Sequence, residues 1–332
     1  MAQILQPTPL NLDRLAKILA DGGIVAVPTE TVYGLACNAL DPTAVAKVYE
    51  AKRRPSRNPL IVHIGELESL TQIAETSEDS EKLIKAFWPG PLTVILPKQP
   101  IIPSEVTAGT PTVAVRMPSH SVFRELARRC SFPLAAPSAN PFGYISPTKA
   151  EHVEQSMGDS VEWILDGGKC EGGLESTIIS LTNTVAPILL RHGSIPIHEL
   201  EAVLYKKLIS KEIKAEVSQE ALLSPGLLRR HYSPHTEIRL FESVAPKPGE
   251  NEAIVFLNAN DCRIEGEFSL SKNGDLIEVA HNLYDTLQRL DRKEFARIHF
   301  QIPAAIGIGQ AICDRMGRAA VIGPPLARID PG

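Results

Sequence analysis

Through roughly its first 200 residues the chain alternates short apolar, β-branched runs with segments of helical length, and few architectures accept that alternation. Strand-like runs lie at 24–28, 60–64, 92–96, 112–117, 133–136, 163–165, 176–181 and 187–191. Helical periodicity occupies 42–54, 67–87 with a polar break near 76–80, 122–129, 147–157 and 197–204. Asp41-Pro42 and Ser146-Pro147 read as N-caps followed by proline at the first helical position. The strands outnumber what a simple parallel βαβ series supplies. The expected fold is therefore α/β, a twisted mixed sheet with packed helices.

From about 206 to 236 the periodicity gives way to charge, serine and proline around Ser224-Pro225-Gly226-Leu227-Leu228-Arg229-Arg230-His231-Tyr232-Ser233-Pro234. This segment reads as a long linker. Beyond it, strand-like runs at 238–242, 253–257 and 298–301 alternate with helical runs at 277–290 and 309–318, a smaller Rossmann-like α/β unit. The expected organisation is a larger domain over 1–205, a linker over 206–236 and a small domain over 237–332, consistent with a length that favours two domains.

Several classes fall away at once. Net charge is -5, so an anion site must be a local cluster and not a property of the whole surface. Five cysteines, Cys37, Cys130, Cys170, Cys262 and Cys313, show no CxxC spacing and an odd count, against a disulfide framework or a structural zinc site. His231 and His235 are four apart, but Pro234 breaks any helix that would bring them together on a metal. No apolar run reaches membrane-spanning length and no signal pattern opens the chain, so the expected location is the cytoplasm.

The chemistry concentrates in a few places. Lys52-Arg53-Arg54-Pro55-Ser56-Arg57-Asn58-Pro59 gathers four cations bounded by Pro55 and Pro59, ahead of a strand that ends at His63. Such a run is either a solvated face or an anion site; the prolines favour the second by lowering the entropy cost of ordering the cations. Arg116 stands in an otherwise apolar strand, where a guanidinium needs a carboxylate or phosphate partner. Ser138-Ala139-Asn140 follows an apolar strand, and Ser146 opens a helix, where capping and phosphate binding are compatible. Thr31, Thr112 and Ser176 sit near strand ends, where hydroxyls often only satisfy backbone groups. No nucleophile elbow, Walker loop or GxGxxG turn occurs.

These segments resemble the YrdC-like threonylcarbamoyl-AMP synthases, in the long form with an extra C-terminal domain. The resemblance rests on Pro28-Thr29-Glu30-Thr31-Val32-Tyr33-Gly34-Leu35, residues 52–64, Trp88-Pro89-Gly90-Pro91-Leu92-Thr93, Ser138-Ala139-Asn140, Ser146-Pro147-Thr148, Ser176-Thr177-Ile178 and the linker motif. It implies a nucleotidyltransferase that joins L-threonine, bicarbonate and ATP, carried with Mg2+, into threonylcarbamoyl-AMP and pyrophosphate. The product serves threonylcarbamoyladenosine formation beside the anticodon of tRNA. It further implies catalytic Lys52 and Arg54, and a threonine site of Thr31, His63, Arg116, Ala136 and Ser176. The implied ATP site comprises Arg54, Asn58, Thr112, Ser138, Ser146, Arg191 and Tyr232, the last making the linker an active-site lid. Three positions depart from the family pattern: Phe142 where serine is usual, His192 where proline is common, and Ser180-Leu181 where an acidic residue is frequent.

Implied partners are the tRNA threonylcarbamoyl transferase machinery, by transient hand-over, and tRNA, weakly; no membrane is implied. The alternative from a different class is an RNA-binding module of the YrdC-like type without catalysis, the basic loop gripping phosphates. A hydrogenase-maturation carbamoyltransferase would require appended zinc-binding cysteines, which the sequence lacks.

Overall fold

The computed structural model describes residues 2–182, 186–210, 231–264 and 266–321. Most of the expected linker, 211–230, lies outside the described residues.

Eleven strands form the larger sheet. They are β1 (Gln3–Leu5), β2 (Val25–Val27), β3 (Gly34–Asn38), β4 (Ile61–His63), β5 (Leu92–Pro97), β6 (Thr112–Arg116), β7 (Leu134–Ala135), β8 (Trp163–Leu165), β9 (Thr177–Ser180), β10 (Ile188–Arg191) and β11 (Ile209–Ser210). Their spatial order is β1-β8-β2-β3-β7-β4-β6-β5-β9-β10-β11. Parallel pairs such as β4 with β6 and β5 with β9 mix with antiparallel pairs such as β5 with β6. The mixed sheet expected from the excess of strands is therefore present.

Alternation along each central strand sends side chains to two different environments. Val62, Val113 and Val115 enter the main core, with helices Pro42–Lys52 and Glu78–Phe87 packed on that face. Ile61 and Ala114 face the other way, in a small cluster with Ile95, Ile178 and Leu190. Helices Pro9–Ala20 and Ser121–Arg129 cover part of this second face through Leu12, Leu15, Leu19, Phe123 and Leu126. The helix after Asp41 forms as expected, with Asp41 Oδ1 accepting from Thr43 N at 2.8 Å.

A second sheet holds β12 (Glu237–Phe241), β13 (Glu252–Asn258), β14 (Glu267–Ser271) and β15 (Arg297–Gln301) in the order β12-β15-β13-β14, all parallel. Helices Leu276–Asp291 and Ile308–Ala319 pack on it in a core that also takes in Val32, Tyr144, Ile145, Leu174 and Tyr232. The second sheet's core thus extends into residues next to β3 and β9. No helix among the described residues is long and apolar enough to cross a membrane.

The reading of Ser146 as an N-cap is wrong. The helix is Ala150–Met157, and Lys149 stands at its N-cap without a side-chain cap. Residues 147 and 148 are committed elsewhere: the Pro147 carbonyl accepts from Tyr33 N at 2.8 Å and that of Thr148 from Cys170 N at 2.9 Å. The chain is tied to its neighbours there before it can turn, and the Ser146 hydroxyl donates instead to Glu175 Oε1 at 2.5 Å.

Candidate active site

The second face of the larger sheet carries a small, partly open cavity of about 50 Å³. Register brings its floor together, because His63 on β4 stands directly beside Arg116 on β6. Both are buried. Arg116 donates from Nη1 to Thr31 Oγ1 at 2.9 Å and from Nε to the Gly90 carbonyl at 3.2 Å. Its Nη2 lies 2.8 Å from Glu30 Oε1 as an ion pair, but neither Nη2 nor the Glu30 oxygens has an aligned hydrogen bond. Burial alone would raise the Glu30 carboxyl, yet Arg116 holds it below the ordinary carboxylate value.

Local chain geometry aims Thr31. The Thr29 hydroxyl donates to the Val32 carbonyl at 2.7 Å and accepts from the backbone N–H of Thr31 and of Val32, both at 3.2 Å, fixing a tight turn after β2. Thr31 Oγ1 then sits 2.8 Å from Thr29 Oγ1, between that hydroxyl and Arg116. His63 Nδ1 donates to the Ile61 carbonyl at 3.1 Å. Burial first, and then Arg116, pushes its imidazole down to about 3, so it is neutral near pH 7.

Arg54, Ser138, Glu175, Ser176, Arg191 and Tyr232 line the same cavity. Arg191 donates from Nε to the Ser176 carbonyl and from Nη2 to Ser176 Oγ, both at 3.0 Å; Ser176 Oγ also lies 2.7 Å from Thr93 Oγ1. Arg54 spends Nε on the Asn58 carbonyl at 3.1 Å and Nη2 on that of Pro59 at 2.8 Å, and burial brings its guanidinium down to about 10. Tyr232 is fully enclosed at φ 61°, its ring stacked 5.9 Å from that of Tyr284 and its hydroxyl without a hydrogen-bond partner.

Nine expected site residues therefore line one cavity: Thr31, Arg54, His63, Arg116, Ala136, Ser138, Ser176, Arg191 and Tyr232. The other four do not. Lys52 is buried with its ammonium donating to the Ser138 and Asn140 carbonyls, and its side chain faces a groove of about 470 Å³ with Arg53, Phe142, Tyr144, His235 and Arg292. Burial, then Arg54, pulls the Lys52 amine well below its ordinary value. Asn58 is buried beside Arg54, its side-chain oxygen and nitrogen both unpartnered. Thr112 starts β6, at the end away from Arg116. Ser146 reaches the cavity only through Glu175.

Two carboxylates escaped the sequence reading. Glu30 lay inside a quoted motif without a role, and Glu175 precedes Ser176 without a pattern of its own. Their partners, Arg116 and Arg315, are distant in sequence, so only Glu30 had a signal: Arg116 itself needed a carboxylate. Among the described residues no cluster of His, Cys, Asp and Glu could hold a metal ion.

A family profile described as "Telomere recombination" matches residues 17–193, and one described as "Threonylcarbamoyl-AMP synthase, C-terminal domain" matches 195–321. The chain is similar to the threonylcarbamoyl-AMP synthase of Pyrococcus abyssi, 39% identical over 319 residues and covering 92% of each chain. The Bacillus subtilis synthase is 37% identical over 324 residues, covering 93% of each. Among solved structures, the crystal structure of P. abyssi Sua5 complexed with L-threonine superimposes with a TM-score of 0.87 at 35% identity, over 96% of this chain and 98% of that one.

Proposed function

The chain belongs to the threonylcarbamoyl-AMP synthase family, and from that membership and the cavity we propose that it joins L-threonine, bicarbonate and ATP into threonylcarbamoyl-AMP with release of pyrophosphate. One observation carries the assignment of sides. In the same cavity the buried Tyr232 hydroxyl has no hydrogen-bond partner, and Arg116 Nη2 meets Glu30 only as an ion pair without an aligned hydrogen bond. Buried donors left so are costly unless a ligand completes them.

On the threonine side, Arg116 offers Nη2 to the carboxylate, while Glu30, Thr31 and the Gly90 carbonyl fix the guanidinium plane. Neutral His63, the backbone of Ala136 and Ser176 shape the rest of that site. The amine captures bicarbonate as a carbamate with loss of water. A carbamate oxygen then attacks the α-phosphorus of ATP, and pyrophosphate leaves. The protein's share is to align two anions and to neutralise charge on the phosphates.

For that role the ATP side offers Arg54, Ser138, Arg191 and Tyr232 at the cavity, with Asn58 behind Arg54 and Ser146 behind Glu175, whereas Thr112 stands apart at the other end of β6. Arg54 is the charge-stabilising catalytic group at the cavity. Lys52 contributes charge from behind the wall and fixes the Ser138–Asn140 carbonyls. Mg2+ enters as part of the ATP substrate, held by phosphate oxygens.

A cavity of about 50 Å³ is far below the roughly 300–1,000 Å³ of ordinary ligand pockets. Admitting ATP therefore requires His231 and Tyr232 to withdraw and return, which makes 206–236 a lid between a catalytic domain, 1–205, and a smaller domain, 237–332. The reaction belongs to the cytoplasm, where product passes to the tRNA-modifying transferase. The RNA-module alternative loses its footing, since Lys52 and Arg54, half of the basic loop, are buried on backbone carbonyls.

The test is to mix protein, ATP, magnesium, threonine and bicarbonate and to follow pyrophosphate. Release that needs both threonine and bicarbonate supports the reading. Release that ignores either one sinks it.

A further inference from the structure

The last helix among the described residues, Ile308–Ala319, sends one arginine into the other sheet's cavity wall. Arg315 is completely buried. Its Nε donates to Glu175 Oε2 at 2.8 Å, its Nη1 to Asp314 Oδ2 at 2.6 Å and its Nη2 to the His192 carbonyl at 2.9 Å. The guanidinium carbon lies 5.0 Å from the centre of the Tyr232 ring. From helix Leu276–Asp291, the Tyr284 hydroxyl donates to the same carboxylate, 3.0 Å from Oε2 and 3.2 Å from Oε1.

Glu175 is the one carboxylate among the residues lining the cavity, and it stands among groups assigned to the phosphates: Ser146, Arg191 and Tyr232. An unpaired buried carboxylate there would repel a triphosphate and occupy its donors. Every partner that neutralises or satisfies Glu175, apart from Ser146 and the nearby Arg191, comes from beyond residue 237.

We propose that Arg315 is a positioning residue supplied by the C-terminal unit, which neutralises Glu175 so that the cavity accepts ATP and which seats the Tyr232 ring. The inference rests on the synthase reading. It gives the C-terminal unit a direct part in building the ATP side, beyond holding the linker. Close approach of the two units is built into the backbone: a Cβ on Gly173 would fall 2.4 Å from the Ala280 carbonyl oxygen and 2.6 Å from His281 Cα.

The test measures ATP (with magnesium) and threonine binding by calorimetry on the full chain, for wild type, Arg315→Met and the double variant Arg315→Met with Glu175→Gln. Expected is at least a tenfold loss of ATP affinity in Arg315→Met, threonine affinity unchanged within twofold, and recovery of most of the ATP loss in the double variant. Charge removal would not rescue a merely structural defect, so no recovery overturns the proposal, as does equal loss of both substrates. If Arg315→Met does not fold, the double variant decides alone. Binding of both substrates supports the proposal, and binding of threonine without ATP overturns it. A wild type that binds neither substrate overturns the synthase reading, and the inference with it.

Discussion

Glu30 and Arg116 meet 2.8 Å apart beside the cavity, a buried ion pair in which Nη2 faces the carboxylate without an aligned hydrogen bond. The pair orients a fork while leaving it open. Glu30→Gln keeps the shape and removes the charge, so the guanidinium loses its anchor without losing its neighbours. Threonine KM should rise about tenfold, or about 1.4 kcal/mol, with ATP KM within about twofold. Steady-state pyrophosphate release at varied threonine checks this, and a rise confined to ATP would refute it.

His63 carries the next expectation. Burial, with Arg116 adding to it, holds its imidazole at about 3 against an ordinary 6.5. The neutral form is therefore the folded form. Its stability contribution is complete above about 6.5 and is lost as pH falls from there towards 3. Threonine affinity should show no His63 step between pH 8 and 5. An NMR titration of the His63 ring protons should stay flat over that range; an inflection near 6.5 would place the ring in water and remove it from the site.

How much of this was legible varies with the range of the cause. Local causes read well: Asp41-Pro42 gave its helix, and the alternating β4 and β6 gave strands that place His63 and Arg116 in register. Local signals also went unread, as with helix Pro9–Ala20, which shows Thr8-Pro9 followed by Leu12, Leu15 and Leu19 at helical spacing. Strand β14 is short and only partly buried, and Phe268 and Leu270 alone do not announce it. Ser146 failed for a tertiary reason, because its neighbours bond to Tyr33 and Cys170 rather than to a helix. Arg315 and Tyr284 were invisible, since nothing near them in sequence hints that Glu175 waits more than a hundred residues away.

Tyr232 separates two functions that one substitution can confuse. Its ring fills space between His231, Tyr284 and Arg315, whereas its hydroxyl has no partner. Tyr232→Phe should keep the fold's stability within about 0.5 kcal/mol and lower ATP affinity several-fold. Tyr232→Ala should open the cavity and cost about 3–5 kcal/mol of stability, with adenylate formation lost. Thermal melting beside ATP titration distinguishes them. Unchanged ATP affinity in both variants would rule out the contact.

Glu175 predicts an acid-sensitive interface. Burial would raise its carboxyl, but Arg315 and then Arg191 bring it down to about 2 from 4.5. A depressed carboxylate stabilises fully above about 4.5, and the contribution fades as pH falls through 2, roughly 3 kcal/mol in all. Wild-type unfolding free energy should drop steeply between pH 4.5 and 2.5. Glu175→Gln, which cannot titrate, should drop less over that interval. Parallel curves for the two proteins would mean that other groups carry the acid response.

Two glycines make opposite predictions from the space around them. A Cβ on Gly193 would lie 2.3 Å from Thr177 N and 2.6 Å from the Ser176 carbonyl carbon, backbone atoms that cannot step aside alone. Gly193→Ala must push the start of β9 away from Arg191, whose Nε and Nη2 both hold Ser176. With Ser176 proposed for threonine and Arg191 for ATP, KM for both substrates should rise, and pyrophosphate release should fall at least about tenfold (about 1.4 kcal/mol in the barrier). Gly317, inside helix Ile308–Ala319, has nothing within 4 Å of its added Cβ. Gly317→Ala should stabilise the protein by about 0.5–1 kcal/mol, because alanine loses less conformational freedom in a helix than glycine. Melting curves and kinetics on the two variants should therefore move in opposite directions. A Gly193→Ala enzyme with wild-type kinetics would show that Ser176 and Arg191 need not be held together.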